Sequence, residues 1–334
     1  MEKRHLAFAG FRHAHVLVIY RMAQNHERFA IVGACEPHAE ARREAESAGV
    51  LFTHDNYEAL LNDPNVDTVV IGDCYANRGA LALAALNHGK HVISDKPLCT
   101  SLNELNQIEE TAKERGLSVS CMFSMRYEPI VAAAKEAIQQ IGPIRSVSFG
   151  GQHPLLYGSR PSWYYETSKY GGLFNDLAIH GVDLIYYLSG QRIRSVTAAR
   201  CYNAYAKHEP DFPDSGQFMA VLENGAGLIA DVSYSVPDSV GYALPFYWQF
   251  YFWGDNGVVS FSANSDGVIC CLNQQKDPLR VSHSPAPTDY LSDVYDMMDG
   301  RPTVLPMEDV FAATRDTLAI QNVAVREDIS WKKL

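Results

Sequence analysis

Residues 5–24 read HLAFAGFRHAHVLVIYRMAQ. His5–Gly10 is a short apolar run that reads as a buried strand, and Ala14–Gln24 repeats its apolar residues at helical spacing. Gly10 supplies the turn between them. The same alternation continues down the chain. Phe29–Cys35 reads as a second strand, followed by a charged helix over 39–48. Val66–Gly72 and His91–Ser94 are further strands, with a helix over Gly79–Asn87 between them. Ser101-x-x-Glu104 reads as a capping box opening a helix that runs to Arg115, and Leu117–Phe123 is another strand. Strand–helix alternation of this kind predicts a doubly wound parallel sheet. Ligands on such sheets lie beyond the carboxyl ends of the strands.

The first strand–helix turn, Gly10-Phe-Arg12-His-Ala-His15, keeps only the first glycine of a G-x-G-x-x-G dinucleotide fingerprint. Gly10, Arg12 and His13 are the candidate cofactor contacts here. The Arg12 guanidinium suits a pyrophosphate, or stands in its way. Glu36, at the end of the second strand, is placed to accept hydrogen bonds from an adenosine ribose. Its charge repels a 2′-phosphate, which favours NAD over NADP, while Arg42 and Arg43 oppose that preference. The His13-x-His15 pair also fits metal-dependent hydrolases built on barrels. The chain has neither repeated barrel units nor a matching ligand set, so no metal is expected.

Asp95-Lys96-Pro97 follows the strand HVIS, which puts Lys96 at the carboxyl edge of the sheet. Pro97 fixes its own φ and restricts Lys96 to extended conformations. A second chemistry-bearing stretch is Gly171–Gly190, GGLFNDLAIHGVDLIYYLSG. It reads as a helix with Asn175 as N-cap and Gly190 as the terminating glycine. Leu177, Gly181, Leu184 and Leu188 form one stripe, and Asp176, His180, Asp183 and Tyr187 form the neighbouring one. Three ionisable groups on a partly buried face are costly unless they pair or act chemically.

Beyond a helix over 129–140, the pattern becomes a series of strands at 144–152, 193–204, 217–223, 226–236, 246–254, 257–262 and 267–273. Asn224-Gly225 and Asp255-Asn256-Gly257 are hairpin turns, which makes those neighbours antiparallel. Two helices, over 287–299 and 306–326, close the chain. The loop over 153–170 is long, polar and aromatic. Its Tyr157, Arg160, Trp163, Tyr164 and Lys169, together with Arg126, are candidate contacts for a polyhydroxylated ring. Phe246–Trp253, FYWQFYFW, puts aromatics on both faces of a strand. One face needs cover, and a homodimer or homotetramer formed through this sheet would supply it.

The net charge of -11 over 334 residues argues against nucleic-acid and anionic-membrane partners, which call for a basic face. Hydrophobic content of 47% with 20% charged residues fits a soluble globular protein long enough for two domains. Seven cysteines without C-x-x-C spacing suit reduced thiols and a cytoplasmic location. Neither a signal peptide nor a membrane span is expected.

The stretches ALAALNHGKHVISDKPL at 82–98, RYEP at 126–129, 171–190 and GRPTVLPMEDVFAATRD at 300–316 resemble the glucose–fructose oxidoreductase, inositol dehydrogenase and rhizopine-catabolism (Gfo/Idh/MocA) family. The lysine of the family's E-K-P motif falls on Lys96, with Asp95 in place of glutamate. The aspartate and histidine of its G-G-G-x-x-x-D-x-x-x-H motif fall on Asp176 and His180. Asp73-Cys74-Tyr75 stands where the family often has Thr-Pro-Asn, and Arg78 replaces a frequent histidine. The resemblance implies a Rossmann NAD-binding domain over 1–123, with Asp73, Tyr75 and Lys96 at the cofactor. It also implies an α+β substrate and oligomerisation domain over 124–334, with an open, predominantly antiparallel sheet flanked by helices. The implied activity is NAD(P)-linked hydride transfer with a secondary alcohol of a sugar, inositol or related polyol. Lys96, His180 and Asp176 would be catalytic, with His180 and Asp176 also touching substrate. Which of Lys96 and His180 is the base stays open at this level. A catalytically idle ligand-binding member and a metal-dependent hydrolase using His13 and His15 are the alternatives.

Overall fold

The structure is a computed structural model that describes residues 3–324. The chain divides into two compact units. Of the described residues, the first comprises 3–124, 161–171 and 288–314; the second comprises 125–160, 172–287 and 315–324.

The first unit opens with β1 (Arg4–Ala9), α1 (His15–Gln24), β2 (Phe29–Cys35), α2 (Ala39–Ser47) and α3 (Tyr57–Leu61). It continues with β3 (Thr68–Ile71), α4 (Tyr75–Asn87), β4 (His91–Ser94), α5 (Leu102–Arg115) and β5 (Val119–Cys121). The five strands are parallel in the order β2-β1-β3-β4-β5. They are nearly all buried because helices cover both faces, which is why they read as continuous apolar runs. α1 buries Val16, Ile19, Tyr20 and Ala23, the helical stripe expected from the sequence. The order of connection reverses at β1, so the crevice for a ligand lies beyond the ends of β1 and β3. There the turns approach closely. Gly10 has φ +83°, and a side chain on it would come within 2.8 Å of the Asp73 nitrogen.

Three local expectations are corrected. α4 begins at Tyr75 rather than Gly79, because the chain turns into helix directly after the β3 turn. α3 adds a short helix capped by Asn56, whose side chain accepts from the Ala59 N–H. Ser101 occupies the N-cap position of α5 without a side-chain capping bond.

The second unit begins with α6 (Pro129–Ile138) and β6 (Ile144–Pro154). After the one-turn helix α7 (Thr167–Tyr170) of the first unit come α8 (Ile179–Ser189), β7 (Ile193–Tyr202), β8 (Ser215–Leu222) and β9 (Gly227–Val236). Then follow β10 (Gln249–Gly254), β11 (Gly257–Phe261), β12 (Val268–Leu272) and β13 (Leu279–Val281). α9 (Tyr290–Met298) lies in the first unit, and α10 (Met307–Ala324) ends the described chain. Residues 325 and 326 of the expected last helix lie outside the described residues.

The eight strands form one open sheet, β13-β12-β11-β10-β6-β9-β8-β7. All its pairings are antiparallel except β6 with β9, which are parallel. A parallel pair needs a long crossover, here spanning α8, β7 and β8, and no local pattern announces such a pair. The strand β13 was also not foreseen. Phe149, Phe218, Ala230, Phe250 and Phe261 alternate inward onto the core. α8 packs on this face so tightly that a side chain at Gly181 would meet the Phe149 ring at 2.2 Å.

The 171–190 stretch departs from a plain helix. Phe174–Ala178 is a π turn that leads into α8, so Asn175 sits inside the helical run and is not its cap. The Gln321 side chain instead accepts from the Phe174 N–H at 2.9 Å. Gly190, in the left-handed conformation, ends the helix as expected.

Candidate active site

In the first unit, the backbone N–H of Phe11 donates to Glu36 Oε2 at 2.5 Å, and that of His38 donates to Oε1 at 2.7 Å. Burial pushes the Glu36 carboxyl up, and these two N–H groups work against that shift. Each oxygen keeps a further lone pair for a ribose hydroxyl. α1 starts without a side-chain cap and without an acidic residue in its first turn, and Ala14 at its start is exposed. Arg12 lies in the same turn, with its NH1 3.6 Å from Asp73 Oδ1. An uncapped helix start beside a guanidinium is an anion site. The donor set is of the kind that would fit a dinucleotide, with anion donors at Arg12 and the α1 start and carboxylate acceptors at Glu36.

Beside this turn is a buried polar network. His13 Nδ1 bonds the Asp95 carboxylate, and Tyr75 Oη lies 3.3 Å from His13 Nε2. Tyr75 and Tyr164 share a hydroxyl–hydroxyl bond of 2.8 Å. Burial lowers the His13 pKa to about 3, so the imidazole is neutral and donates Nδ1–H to Asp95. Burial works to raise the Asp95 carboxyl, but His13, Arg78 and His15 hold it well below the usual carboxylate value. Arg78, fully buried, is the centre of this arrangement. Its Nε donates to the Asp73 carbonyl at 2.8 Å, its NH2 to Asp95 Oδ2 at 3.1 Å, and its NH1 to the Lys96 carbonyl. It thereby fastens the turn after β3 to the Asp95-Lys96-Pro97 turn. The Lys96 N–H donates to Asp95 Oδ1 at 2.7 Å, and Lys96 Nζ stands 6.0 Å from the Tyr75 ring centre. Arg78 was visible in the sequence only as the replacement of a frequent histidine.

His13, His15 and Asp95 carry ligand atoms within 4.8 Å of one another, a spacing a divalent cation would accept. Arg78 already compensates the Asp95 carboxylate at 3.1 Å. Adding a dication here would be opposed by this buried guanidinium, and the described side chains are joined as a hydrogen-bonded network.

The 161–171 segment belongs to this unit. The Trp163 indole N–H donates to the Arg12 carbonyl at 3.1 Å, and the Trp163 ring meets Tyr75 edge-on at 4.9 Å. Trp163, Tyr164 and Tyr170 are all buried. Lys169 instead forms a surface ion pair with Glu166 at 2.6 Å.

The second unit holds the helical stripe. Asp176 accepts a bond from the Tyr234 hydroxyl, and His180 meets the Trp248 ring edge-on at 5.6 Å. Trp248 has φ +51°, a strained conformation for a bulky residue. It lies 5.4 Å from His153, whose Nε2 is 2.8 Å from Tyr247 Oη. Tyr234, Trp248, His153 and Tyr247 were not foreseen beside Asp176 and His180. The strand pattern of β9 marks Tyr234 as inward-facing, but nothing local points it at Asp176.

Other candidate contacts are engaged elsewhere. Arg126 is buried against Asp183, with bonds of 2.6 to 3.1 Å, and stacks on Tyr187. Asp183 and Tyr187 thus serve this ion pair. Arg160 donates to the Leu155 and Pro154 carbonyls at 2.6 and 2.9 Å and lies over Tyr234. The Tyr157 hydroxyl donates to Glu209 at 3.0 Å on the surface.

Comparison with known proteins agrees with this architecture. Residues 7–123 match a family model described as the oxidoreductase family, NAD-binding Rossmann fold, and 131–260 match the GFO/IDH/MocA C-terminal domain. A scyllo-inositol 2-dehydrogenase (NAD(+)) of Bacillus subtilis (strain 168) is 31% identical over 197 residues, 58% of this chain and 55% of that protein. A levoglucosan dehydrogenase of Pseudarthrobacter phenanthrenivorans is 30% identical over 163 residues, 46% of this chain and 42% of that protein. The chain spans about half the length of the curated relatives it matches. Among solved structures, an oxidoreductase domain protein from Kribbella flavida superimposes with a TM-score of 0.80 at 20% identity, covering 97% of both chains. Levoglucosan dehydrogenase in complex with NADH and levoglucosan superimposes at 0.78 and 20% identity, again over 97% of both chains. These two likenesses concern the fold. With both of its domains matched by the family's own models, the chain belongs to the Gfo/Idh/MocA family of oxidoreductases.

Proposed function

We propose that this chain is an NAD-dependent dehydrogenase acting on a secondary alcohol of a sugar, inositol or related polyol. The observation that carries the reading is the setting of Lys96. It is a nearly buried lysine at the carboxyl end of β4, beside an anion-binding helix start in an NAD-binding domain. The inositol and levoglucosan dehydrogenases among the relatives support the substrate class.

The bound nicotinamide supplies the hydride acceptor. The protein's own task is to manage the hydroxyl proton and the charge left on oxygen. We assign these tasks to Lys96 and His180. The lysine cation stabilises a developing alkoxide, and the imidazole exchanges the hydroxyl proton. The two residues are able to exchange these roles. Asp176, held by the Tyr234 hydroxyl, orients the substrate hydroxyl or His180. Glu36 favours NAD by repelling a 2′-phosphate.

We also assign the chain to homodimers or homotetramers formed through the second unit's sheet, and to the cytoplasm. Met219, Ile229, Tyr251 and Trp253 leave 40–53% of their surface exposed on that sheet, which supports the oligomer. Seven free cysteines suit a reducing compartment, and no helix among the described residues is long and apolar enough to cross a membrane. A second reading, a ligand-binding member without turnover, draws on the aromatic cover that Trp163 and Tyr164 place near Lys96.

The test has two parts. Calorimetric titration should show NADH binding more tightly than NADPH; equal or tighter NADPH binding would mean that Arg42 or Arg43 outweighs Glu36. An oxidation screen of inositols, hexoses and anhydrosugars with NAD should then show turnover. NADH binding with no turnover on any of them would favour the second reading.

A further inference from the structure

The sequence features that set this chain's cofactor turn apart, Arg12, His13, Tyr75 and Asp95, all converge on one object, the aromatic segment 161–171. A neutral His13 that gives its Nδ1–H to an ionised Asp95 has only a lone pair left on Nε2. Tyr75 must therefore donate to His13, and its oxygen is left to accept from Tyr164. The chain Tyr164→Tyr75→His13→Asp95 thus has one direction, set by the buried carboxylate and by the Arg78 cation beside it. A second fastening runs from the Trp163 indole to the Arg12 carbonyl. Tyr170 packs on both Tyr75 and Tyr164 at 5.8 and 5.6 Å, and a side chain at Gly171 would lie 2.2 Å from Thr100.

The consequence is an asymmetric site. At the phosphate end, Ala14 is exposed and Arg12 and His15 are partly exposed. At the other end, Tyr75, His13 and Lys96 are all buried, the lysine with 3% of its surface accessible. A nicotinamide needs to reach Lys96, and a phosphate needs only the open end.

We propose that residues 161–171 are a strap closing the nicotinamide end of the site. A dinucleotide then docks first through its phosphates and reaches Lys96 only after Tyr164 releases Tyr75. This inference rests on the dinucleotide-binding reading above. Its fastenings include the Tyr164–Tyr75 and Trp163–Arg12 bonds and ring packing, so its opening is a discrete step with its own rate.

Stopped-flow tryptophan fluorescence tests this with NADH and with ADP-ribose, which carries the phosphates and both riboses but no nicotinamide. Trp163 is one of four tryptophans, and Trp163→Phe identifies its share of the signal. ADP-ribose should bind in one step and leave the Trp163 signal unchanged. NADH should show a second, slower step that saturates with concentration and carries the Trp163 change. Tyr164→Phe removes the Tyr164–Tyr75 bond, Tyr75→Phe removes that bond and the one to His13, and each variant should speed that step by about 2- to 10-fold. NADH binding in a single step, or a second step unchanged in both variants, overturns the strap and leaves the dinucleotide reading intact. Failure of wild type and both variants to bind either nucleotide overturns the dinucleotide reading, and the strap with it.

Discussion

The His13 imidazole and the Asp95 carboxylate, 82 residues apart in sequence, share a buried hydrogen bond beside the first turn of the parallel sheet. Arg78 binds the same carboxylate from the other side at 3.1 Å. One acid thus holds together the turn after β1, the start of α4 and the turn that carries Lys96.

The burial of His13, which outweighs the opposing pull of Asp95, has a consequence for stability. The His13 pKa is about 3 in the fold against an ordinary value of 6.5. Between these values the unfolded chain binds the extra proton and the folded chain does not, so stability rises with pH across this window. The contribution is fully present above pH 6.5 and declines as pH falls towards 3. Thermal unfolding of wild type and His13→Asn at pH 4.5 and 7 should show a smaller pH dependence for the variant. An identical slope would mean that His13 binds its proton equally in the folded and the unfolded chain.

Lys96→Ala should lower kcat by on the order of 100- to 1000-fold while changing NADH affinity little, because the cation acts on charge that develops during reaction. His180→Ala should cause a comparable loss, falling on kcat and kcat/KM alike. Steady-state kinetics alongside NADH titration separates the two effects. Near-normal rates in both variants of an active enzyme would refute the assignment.

Arg126 and Asp183 form a buried ion pair, so removing one partner strands the other. Arg126→Met should destabilise the protein by about 3–5 kcal/mol. Adding Asp183→Leu should recover most of that loss, since no unpaired charge remains. Denaturant unfolding of the two single variants and the double variant measures the coupling. A Lys135 cation over Tyr187 at 3.5 Å lies next to this pair and should leave some residual dependence on charge.

The outward face of β10 offers a test of assembly. Trp253 and Tyr251 point away from the core, whereas Phe250 and Phe252 are fully buried. Light scattering at micromolar concentration should show an oligomer for wild type and a smaller species for Trp253→Asp. A monodisperse wild-type monomer would refute the sheet-mediated assembly. Tyr247 makes a poorer probe, because its hydroxyl engages His153.

Local periodicity carried most of the architecture. Buried runs such as Thr68–Ile71, the helical stripe of α1 and the Asn224-Gly225 turn each report burial or backbone freedom within a few residues, and these are properties of neighbouring side chains. Lys96 and His180 could be singled out as candidates for a related reason: each sits in a short motif at a definable strand or helix position. Tertiary structure alone decided what these residues touch. Tyr164, Tyr75, His13 and Asp95 come from four separate segments, and nothing in any one of them specifies the other three. The parallel β6–β9 pair, the π turn before α8 and the Arg126–Asp183 bond likewise depend on where distant parts of the chain cross. A spacing of two or 3.6 residues encodes which face is buried. The partner that a buried donor or charge finds there is set by chain crossings over tens to hundreds of residues.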